Sequence, residues 1–114
     1  MNIESLRNYC IEKPGVEEGF PFGPDTLVFK AYGKMFALTG LDETTLEVNL
    51  KCDPQLALEL REQYPCVKPG YHMNKKHWNT VTIDGSVTDA IIKKWIDHSY
   101  ECVLSTLPKS KTGK

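Results

Sequence analysis

The sequence lacks the long apolar run that a membrane-spanning helix needs. The chain of 114 residues contains no long apolar stretch. A helix needs roughly 20 apolar residues to cross a bilayer. The opening residues, MNIES, contain neither a basic region nor an apolar core and so do not resemble a signal peptide. We therefore expect a cytoplasmic protein with no membrane partner.

Closely spaced cysteine pairs are also missing. The four cysteines, Cys10, Cys52, Cys66 and Cys102, are scattered without CxxC or CxH spacing, whereas zinc sites usually take their ligands in close sequence pairs. Disulfides are rare in a reducing cytoplasm, so we interpret all four as free thiols, most of them packed as small hydrophobic side chains. The alternative is a reactive nucleophile among them, but no local cluster is present to lower its pKa. The sequence predicts no metal and no cofactor.

Motifs that carry enzyme chemistry are absent as well. The glycine-containing segment 19–23 lacks the Lys-Ser/Thr ending of a phosphate-binding loop and precedes a predicted strand instead of a helix. No GxSxG nucleophile motif occurs, and neighbouring acids flank turns, where carboxylates are normally solvated. We predict a protein that is not an enzyme and has no catalytic residues. A metal site built from His72, His77 and His98 with a carboxylate stays open as an alternative.

The composition is that of an ordinary globular domain, with 40% hydrophobic and 25% charged residues. A chain of 114 residues has the length of one domain, and it can bury a core without metals or disulfide bridges. We predict a single domain over residues 1–108. The basic segment 109–114 has little to bury and is predicted to be a flexible tail.

The first half of the chain has the signals of a helix followed by a hairpin. Asn2 can cap a first helix that ends at Pro14-Gly15. Residues 26–32 and 34–39 are rich in β-forming side chains and are separated only by Gly33. Glycine supplies the positive φ of a tight turn, so this pattern predicts a β-hairpin.

Further elements follow along the chain. The alternating segment 45–50 indicates a strand with one solvated face. Asp53-Pro54 combines a capping residue with a proline in the first turn and predicts a second helix. Residues 77–83 indicate another strand, and 86–89 resemble a capping box that begins a last helix, which Pro108 ends.

Two phenylalanines, Phe20 and Phe22, stand in the turn-rich segment 19–25, and we expect both rings to point into the core. Together the signals give the order α-β(3–4)-α-β(2)-α. That order is typical of a two-layer α+β domain with an antiparallel sheet.

Charge is unevenly distributed, although the net charge is only −1. No acidic residue occurs between Gln63 and Ile83. The basic residues of this stretch are Lys68, His72, Lys75, Lys76 and His77. Lysines can neutralise phosphates, and the nearby rings of Tyr71 and Trp78 could stack on bases. The alternative interpretation is a solvated turn with Trp78 packed in the core.

A second, weaker basic element is the predicted hairpin. Lys30 and Lys34 flank its Tyr32-Gly33 turn and could form another projecting wing. The alternative is that they are edge-strand lysines, which discourage aggregation.

Several motifs resemble the MmcQ/YjbR family. They are YHMNKKHWNTV at 71–81, DGS at 84–86, KPG at 13–15, EE at 17–18, PFGP at 21–24, the hairpin from Lys30 to Leu38, and HSY at 98–100. The resemblance implies an α-β(3)-α-β(2)-α domain, similar to secretion-chaperone and CyaY-like folds. It also implies a double-wing mode of DNA binding without catalytic residues or a cofactor. By position, the wings are the hairpin 30–34 and the loop 68–78.

We therefore predict a monomeric DNA-binding module with weak sequence preference. The predicted contact residues are Lys30, Lys34, Lys68, Tyr71, His72, Lys75, Lys76, His77 and Trp78. Two alternatives stay open. One is a protein-interaction or chaperone-like module that uses the open sheet face or the Phe20–Phe22 loop, and the other is a small-ligand binder around His72, His77 and Trp78.

Overall fold

The protein folds as helices packed on one antiparallel sheet, in a computed structural model that describes residues 1–42, 44–70 and 73–108. In these ranges the elements are α1 (Ile3–Ile11), β1 (Val16–Gly19), β2 (Thr26–Ala31), β3 (Lys34–Gly40), β4 (Glu47–Lys51), α2 (Pro54–Gln63), β5 (Val67–Pro69), β6 (Trp78–Thr82) and α3 (Asp89–Leu104). The strand order is β1-β2-β3-β4-β6-β5.

The predicted α+β class and element order are confirmed. Four strands precede α2, one more than the family resemblance implies. The predicted tail 109–114 lies outside the described residues.

Capping side chains determine where the helices begin. The Asn2 side-chain oxygen accepts the Ser5 N–H at 2.8 Å, and the Ser5 hydroxyl accepts the Asn2 N–H at 3.0 Å, which completes a capping box. The Asp53 carboxylate caps α2 by accepting the Leu56 N–H at 3.1 Å. Thr88 caps α3, within the predicted segment 86–89. The predicted caps at Asn2 and Asp53 are confirmed.

The β2–β3 hairpin turns on two residues with left-handed backbones. Tyr32 has φ 50° and Gly33 has φ 87°. A two-residue hairpin turn of the favoured type requires positive φ at both positions, because its twist then matches that of the strands. The predicted hairpin is confirmed. Since β1 and β4 flank it on both sides, Lys30 and Lys34 are not edge-strand lysines, and that alternative is wrong.

One face of the sheet forms the main core with the helices. Its cluster unites side chains from all three helices with alternate residues of the strands, including the fully buried Phe29 and Phe36. Tyr100 of α3 meets Phe36 edge-on, with ring centroids 5.6 Å apart. Because strand side chains alternate between faces, neighbouring Val28 points to the opposite face.

That opposite face carries a second, smaller apolar cluster. Val28, Leu38 and Trp78 are buried there, with the partly buried Met35 and Met73 packed against them. The Trp78 side chain is only 7% exposed. Trp78 is therefore packed, as in the alternative interpretation of the basic stretch as a solvated turn. Its ring lies on the sheet face away from the main core.

The prediction for the turn between β1 and β2 is wrong. Phe20 is 50% exposed and Phe22 is 65% exposed, so neither ring enters the core. The pairing of β1 with β2 stops at Gly19 opposite Val28, and the chain then turns back on itself through a hydrogen bond from the Gly23 N–H to the Phe20 carbonyl. Both rings therefore lie in the turn beyond the last β1–β2 pair, outside the core.

Candidate nucleic-acid interface

Topology brings both predicted wings to the same end of the sheet. All pairings between neighbouring strands are antiparallel, so β2, β4 and β5 run in one direction and finish at one end. There the hairpin closes with Ala31 opposite Lys34, and Lys51 at the end of β4 faces Trp78 at the start of β6. We define the basic end as residues 30–34 together with 68–70 and 73–78.

Lys34 is exposed beside the hairpin turn. Its ammonium donates a hydrogen bond to the Thr106 hydroxyl at 3.3 Å, just beyond the end of α3. Among the described residues it has no carboxylate within ion-pair distance. Lys34 therefore presents an unneutralised positive charge beside the last turn of α3.

Lys30 has more acidic surroundings than the other predicted lysines. It lies directly opposite Glu17 across the β1–β2 pair, and the two line a surface cavity of about 260 Å³ that also includes Glu18. Opposite charges at facing strand positions attract each other. We therefore expect Lys30 to add little to the positive potential of the basic end.

A tight turn presents Lys75 and Lys76 to solvent. The Asn74 side-chain oxygen accepts the Lys76 N–H at 2.9 Å, and the Asn74 carbonyl accepts the His77 N–H at 3.1 Å. Both lysine side chains are exposed, and in the described ranges neither has an acidic partner. Lys68 is likewise exposed on β5. These ammonium groups are free to meet an anionic ligand.

Arg61 of α2 holds this turn against the helix layer. Its Nε donates to the Asn79 side-chain oxygen at 2.7 Å, and its Nη2 donates to the carbonyls of Lys75 and of Trp78, the latter at 3.3 Å. Asn79 is 2% exposed and donates in turn to the Ala57 carbonyl at 3.3 Å. Sequence reasoning missed Arg61, because the only local signal was an arginine in the last turn of a predicted helix.

An open cleft of about 430 Å³ lies beside the turn. Its lining residues come from the end of β4, the start of α2, the turn with the first residue of β6, and the end of α3 with the segment after it: Lys51, Cys52, Asp53, Pro54, Asn74, His77, Trp78, Cys102, Ser105 and Thr106. Thr106 is also the partner of Lys34. The cleft is therefore lined by the turn at 74–77, and the hairpin meets its margin through the Lys34–Thr106 hydrogen bond.

The predicted site residues divide into three groups. Lys34, Lys68, Lys75, Lys76 and the half-buried His77 belong to the basic end, and Lys30 lies at its acidic margin. Trp78 is buried and supports the turn from beneath, so its ring offers no stacking surface in this conformation. Tyr71 and His72 lie outside the described residues.

The open metal alternative gains no support from the described part of the chain. No group of three or more His, Cys, Asp or Glu side chains lies close enough there to hold an ion. Of its three proposed histidine ligands, His72 lies outside that part. In the same residues, no helix is both long and apolar enough to cross a membrane.

Known proteins resemble this chain over most of its length. The family model described as YjbR matches residues 11–102. The chain is 41% identical to the protein YbdF of Escherichia coli O157:H7 over 106 residues, covering 93% of this chain and 87% of that protein. It is 38% identical to the protein YjbR of Escherichia coli K12 over 111 residues, covering 97% and 94%.

Solved structures agree with the observed architecture. The crystal structure of the Deinococcus radiodurans protein DR2400, a domain described as DUF419, matches with a TM-score of 0.93 and 39% identity, covering 98% of this chain and 86% of that one. A crystal structure of a Pseudomonas syringae protein matches with a TM-score of 0.77 and 29% identity, covering 90% and 98%.

Proposed function

This chain belongs to the YjbR family, and we propose that it is a DNA-binding module that holds duplex phosphates at its basic end and catalyses no reaction. The observation that carries the proposal is the position of the two wings. The β2–β3 turn and the turn at 74–77 come from distant parts of the sequence, yet they project from the same end of the sheet.

The charge pattern at this end supports phosphate binding. Lys34, Lys68, Lys75 and Lys76 are exposed, and in the described residues none of them is engaged by a carboxylate. An unpaired lysine that meets a phosphate releases condensed counterions, which favours binding and makes it dependent on salt. Contacts of this kind position a protein on DNA without reading the bases, so the proposal includes weak sequence preference.

We assign different roles to the remaining residues of the basic end. His77 adds positive charge when protonated, and Arg61 and Trp78 keep the turn at 74–77 in place. The proposed module acts as a monomer in the cytoplasm. With a net charge of −1 for the whole chain, long-range attraction is weak, and contact depends on the local lysines.

A titration of labelled duplex DNA tests the proposal. Fluorescence anisotropy should report binding by the wild type that weakens as salt rises from about 50 to about 200 mM. The Lys75→Ala/Lys76→Ala variant should bind more weakly, and the slope of log K against log salt should fall by about 1.8, since each lost phosphate contact removes about 0.9.

The matched control is Lys93→Ala/Lys94→Ala. It removes the same charge from exposed positions in the first half of α3, which begins after β6 has reached the other end of the sheet. The control should bind like the wild type. Absence of binding by the wild type at the lowest salt, or equal binding by the two double variants, would reject the proposal.

The protein-interaction alternative is favoured by the exposure of Phe20 and Phe22. These rings lie in the β1–β2 turn, outside the basic end. The same titration separates the two ideas. A Phe20→Ser/Phe22→Ser variant should bind duplex like the wild type if DNA is the partner of the basic end.

A further inference from the structure

A thiol and an imidazole lie side by side on α3 at the cleft. Residues four apart on a helix are neighbours on one face, and the Cys102 Sγ lies 3.3 Å from the His98 Nε2. Cys102 is half-buried and lines the cleft of about 430 Å³. A cavity of this size is within the range of small-molecule sites.

The hydrogen bonds around His98 identify its protonation state. The Asp53 backbone N–H donates to the His98 Nε2 at 3.1 Å. A nitrogen that accepts this bond carries no proton, so the neutral ring holds its proton on Nδ1. Nε2 has one lone pair, which the Cys102 thiol shares with the Asp53 N–H. When the thiol proton moves to Nε2, the Asp53 N–H is left to bond the Cys102 sulfur, a hydrogen bond that lowers the pKa of that thiol.

The resting sulfur of Cys102 is a thiol and not a thiolate. Burial raises the pKa of Cys102, while a hydrogen bond from the Asp53 backbone acts in the opposite direction. Since the thiolate is the nucleophile, a reaction at this sulfur needs a base. His98 is the base within hydrogen-bond distance.

We propose that Cys102, with His98 as its proton acceptor, is a site of thiol–disulfide exchange with small anionic disulfides in the cleft. The anionic preference follows from Lys51 in the cleft wall and from Lys34, whose partner Thr106 lines the cleft. Asp53 also lines the cleft, but its carboxylate accepts the Leu56 N–H at the start of α2. Its reacting groups are separate from the DNA proposal, because neither Cys102 nor His98 is a predicted phosphate contact, whereas Lys34 takes part in both proposals.

The exchange step balances without further reactants. The Cys102 proton passes to His98 Nε2 as Sγ attacks one sulfur of the disulfide RSSR. The new Sγ–S bond forms while the S–S bond of RSSR breaks, and the departing RS⁻ takes the proton from His98 and leaves as RSH. Cys102 is oxidised to a mixed disulfide, and half of RSSR is reduced to a thiol.

Reaction of the native protein with dithiobis(nitrobenzoate) provides the test, because this anionic disulfide releases a coloured thiolate. One thiol should react in a fast phase and the fully buried Cys10 far more slowly. Cys102→Ser and Cys102→Ala should each abolish the fast phase. Cys52→Ser, the matched control from the same cleft, should retain it, and mass spectrometry should locate the adduct on Cys102.

Two further measurements distinguish a reactive site from mere exposure. His98→Gln should slow the fast phase by about tenfold or more, since a positioned base contributes at least that much. Its rate should fall steadily as pH drops below the pKa of the thiol, while the wild-type rate persists to lower pH. When Lys51 is changed to Gln, the rate of reaction with the neutral reagent dithiodipyridine should fall less than the rate of reaction with the anionic reagent.

Several outcomes would overturn the proposal. They are a fast phase that persists in both Cys102 variants, a His98→Gln rate and pH profile equal to wild type, or a wild-type protein whose thiols react only as it unfolds. Thermal melts of each variant confirm that the native fold is present in the assay.

Discussion

Removing the Arg61 side chain should detach the lysine-bearing turn from α2. The Nε–Asn79 bond of 2.7 Å is a hydrogen bond from a charged donor, a class that stabilises a fold by about 1.5–3 kcal/mol. Asn79 is 2% exposed, so water cannot easily replace the lost donor. The Lys75 carbonyl is exposed and can be hydrated, and the Trp78 carbonyl still accepts the Gly70 N–H at 2.9 Å. We expect Arg61→Ala to cost about 2–3 kcal/mol in free energy of unfolding.

This loss can be measured as a change in melting temperature. An unfolding entropy of about 2.1 cal/mol/K per residue over 114 residues gives about 0.24 kcal/mol/K, so Tm should fall by roughly 8–12 °C. Hydrogen exchange at 74–77 should accelerate in the same variant, because the turn loses its attachment to α2.

Arg7→Ala is the control for the general effect of losing an arginine. Its ion pair with Glu18 is solvent-accessible, with side chains 45% and 30% exposed, and surface ion pairs contribute little. Arg7→Ala should therefore lower Tm much less than Arg61→Ala does. Equal shifts in the two variants would refute the reasoning that a buried acceptor makes Arg61 important.

Three further predictions concern packing and titration. Gly15→Ala should destabilise more than Gly33→Ala in urea unfolding, because both have positive φ (75° and 87°) but only at Gly15 would the new Cβ lie 2.3 Å from the Tyr32 ring. Burial raises the pKa of Cys10 from 9.0 to about 12. Its contribution to stability is therefore complete below about pH 9 and lost as pH rises towards 12, so the wild type should lose stability over that range more steeply than Cys10→Ala. Phe22→Ser should change the free energy of unfolding by less than about 0.5 kcal/mol, because its ring is exposed. Equal losses in the glycine pair, parallel pH profiles, or a large loss for Phe22→Ser would contradict these three predictions respectively.

Features that act over a few residues were predictable from the sequence. Asn2 and Asp53 cap helices by binding N–H groups three residues ahead. Gly33 gives the hairpin turn its positive φ regardless of what packs around it. The position of the two wings at one end of the sheet then follows from the alternating direction of the strands, once the element order is known.

Features that depend on distant partners were not predictable. The fate of Phe20 and Phe22 depended on where the β1–β2 pairing stops, and the face of Trp78 depended on the register of β6 with β4. Arg61 and Asn79 are 18 residues apart. The His98–Cys102 spacing was readable on the predicted last helix, but the Asp53 N–H that determines the histidine tautomer comes from 45 residues away.

The outermost strands of the sheet have consequences for behaviour at high protein concentration. β1 and β5 have only four and three residues, β1 carries two exposed glutamates, and Pro69 in β5 has no N–H to offer. A neighbouring copy would find few free main-chain groups on these borders, and like charges would oppose its approach. We expect concentrated samples to stay clear and to resist fibril growth by strand addition.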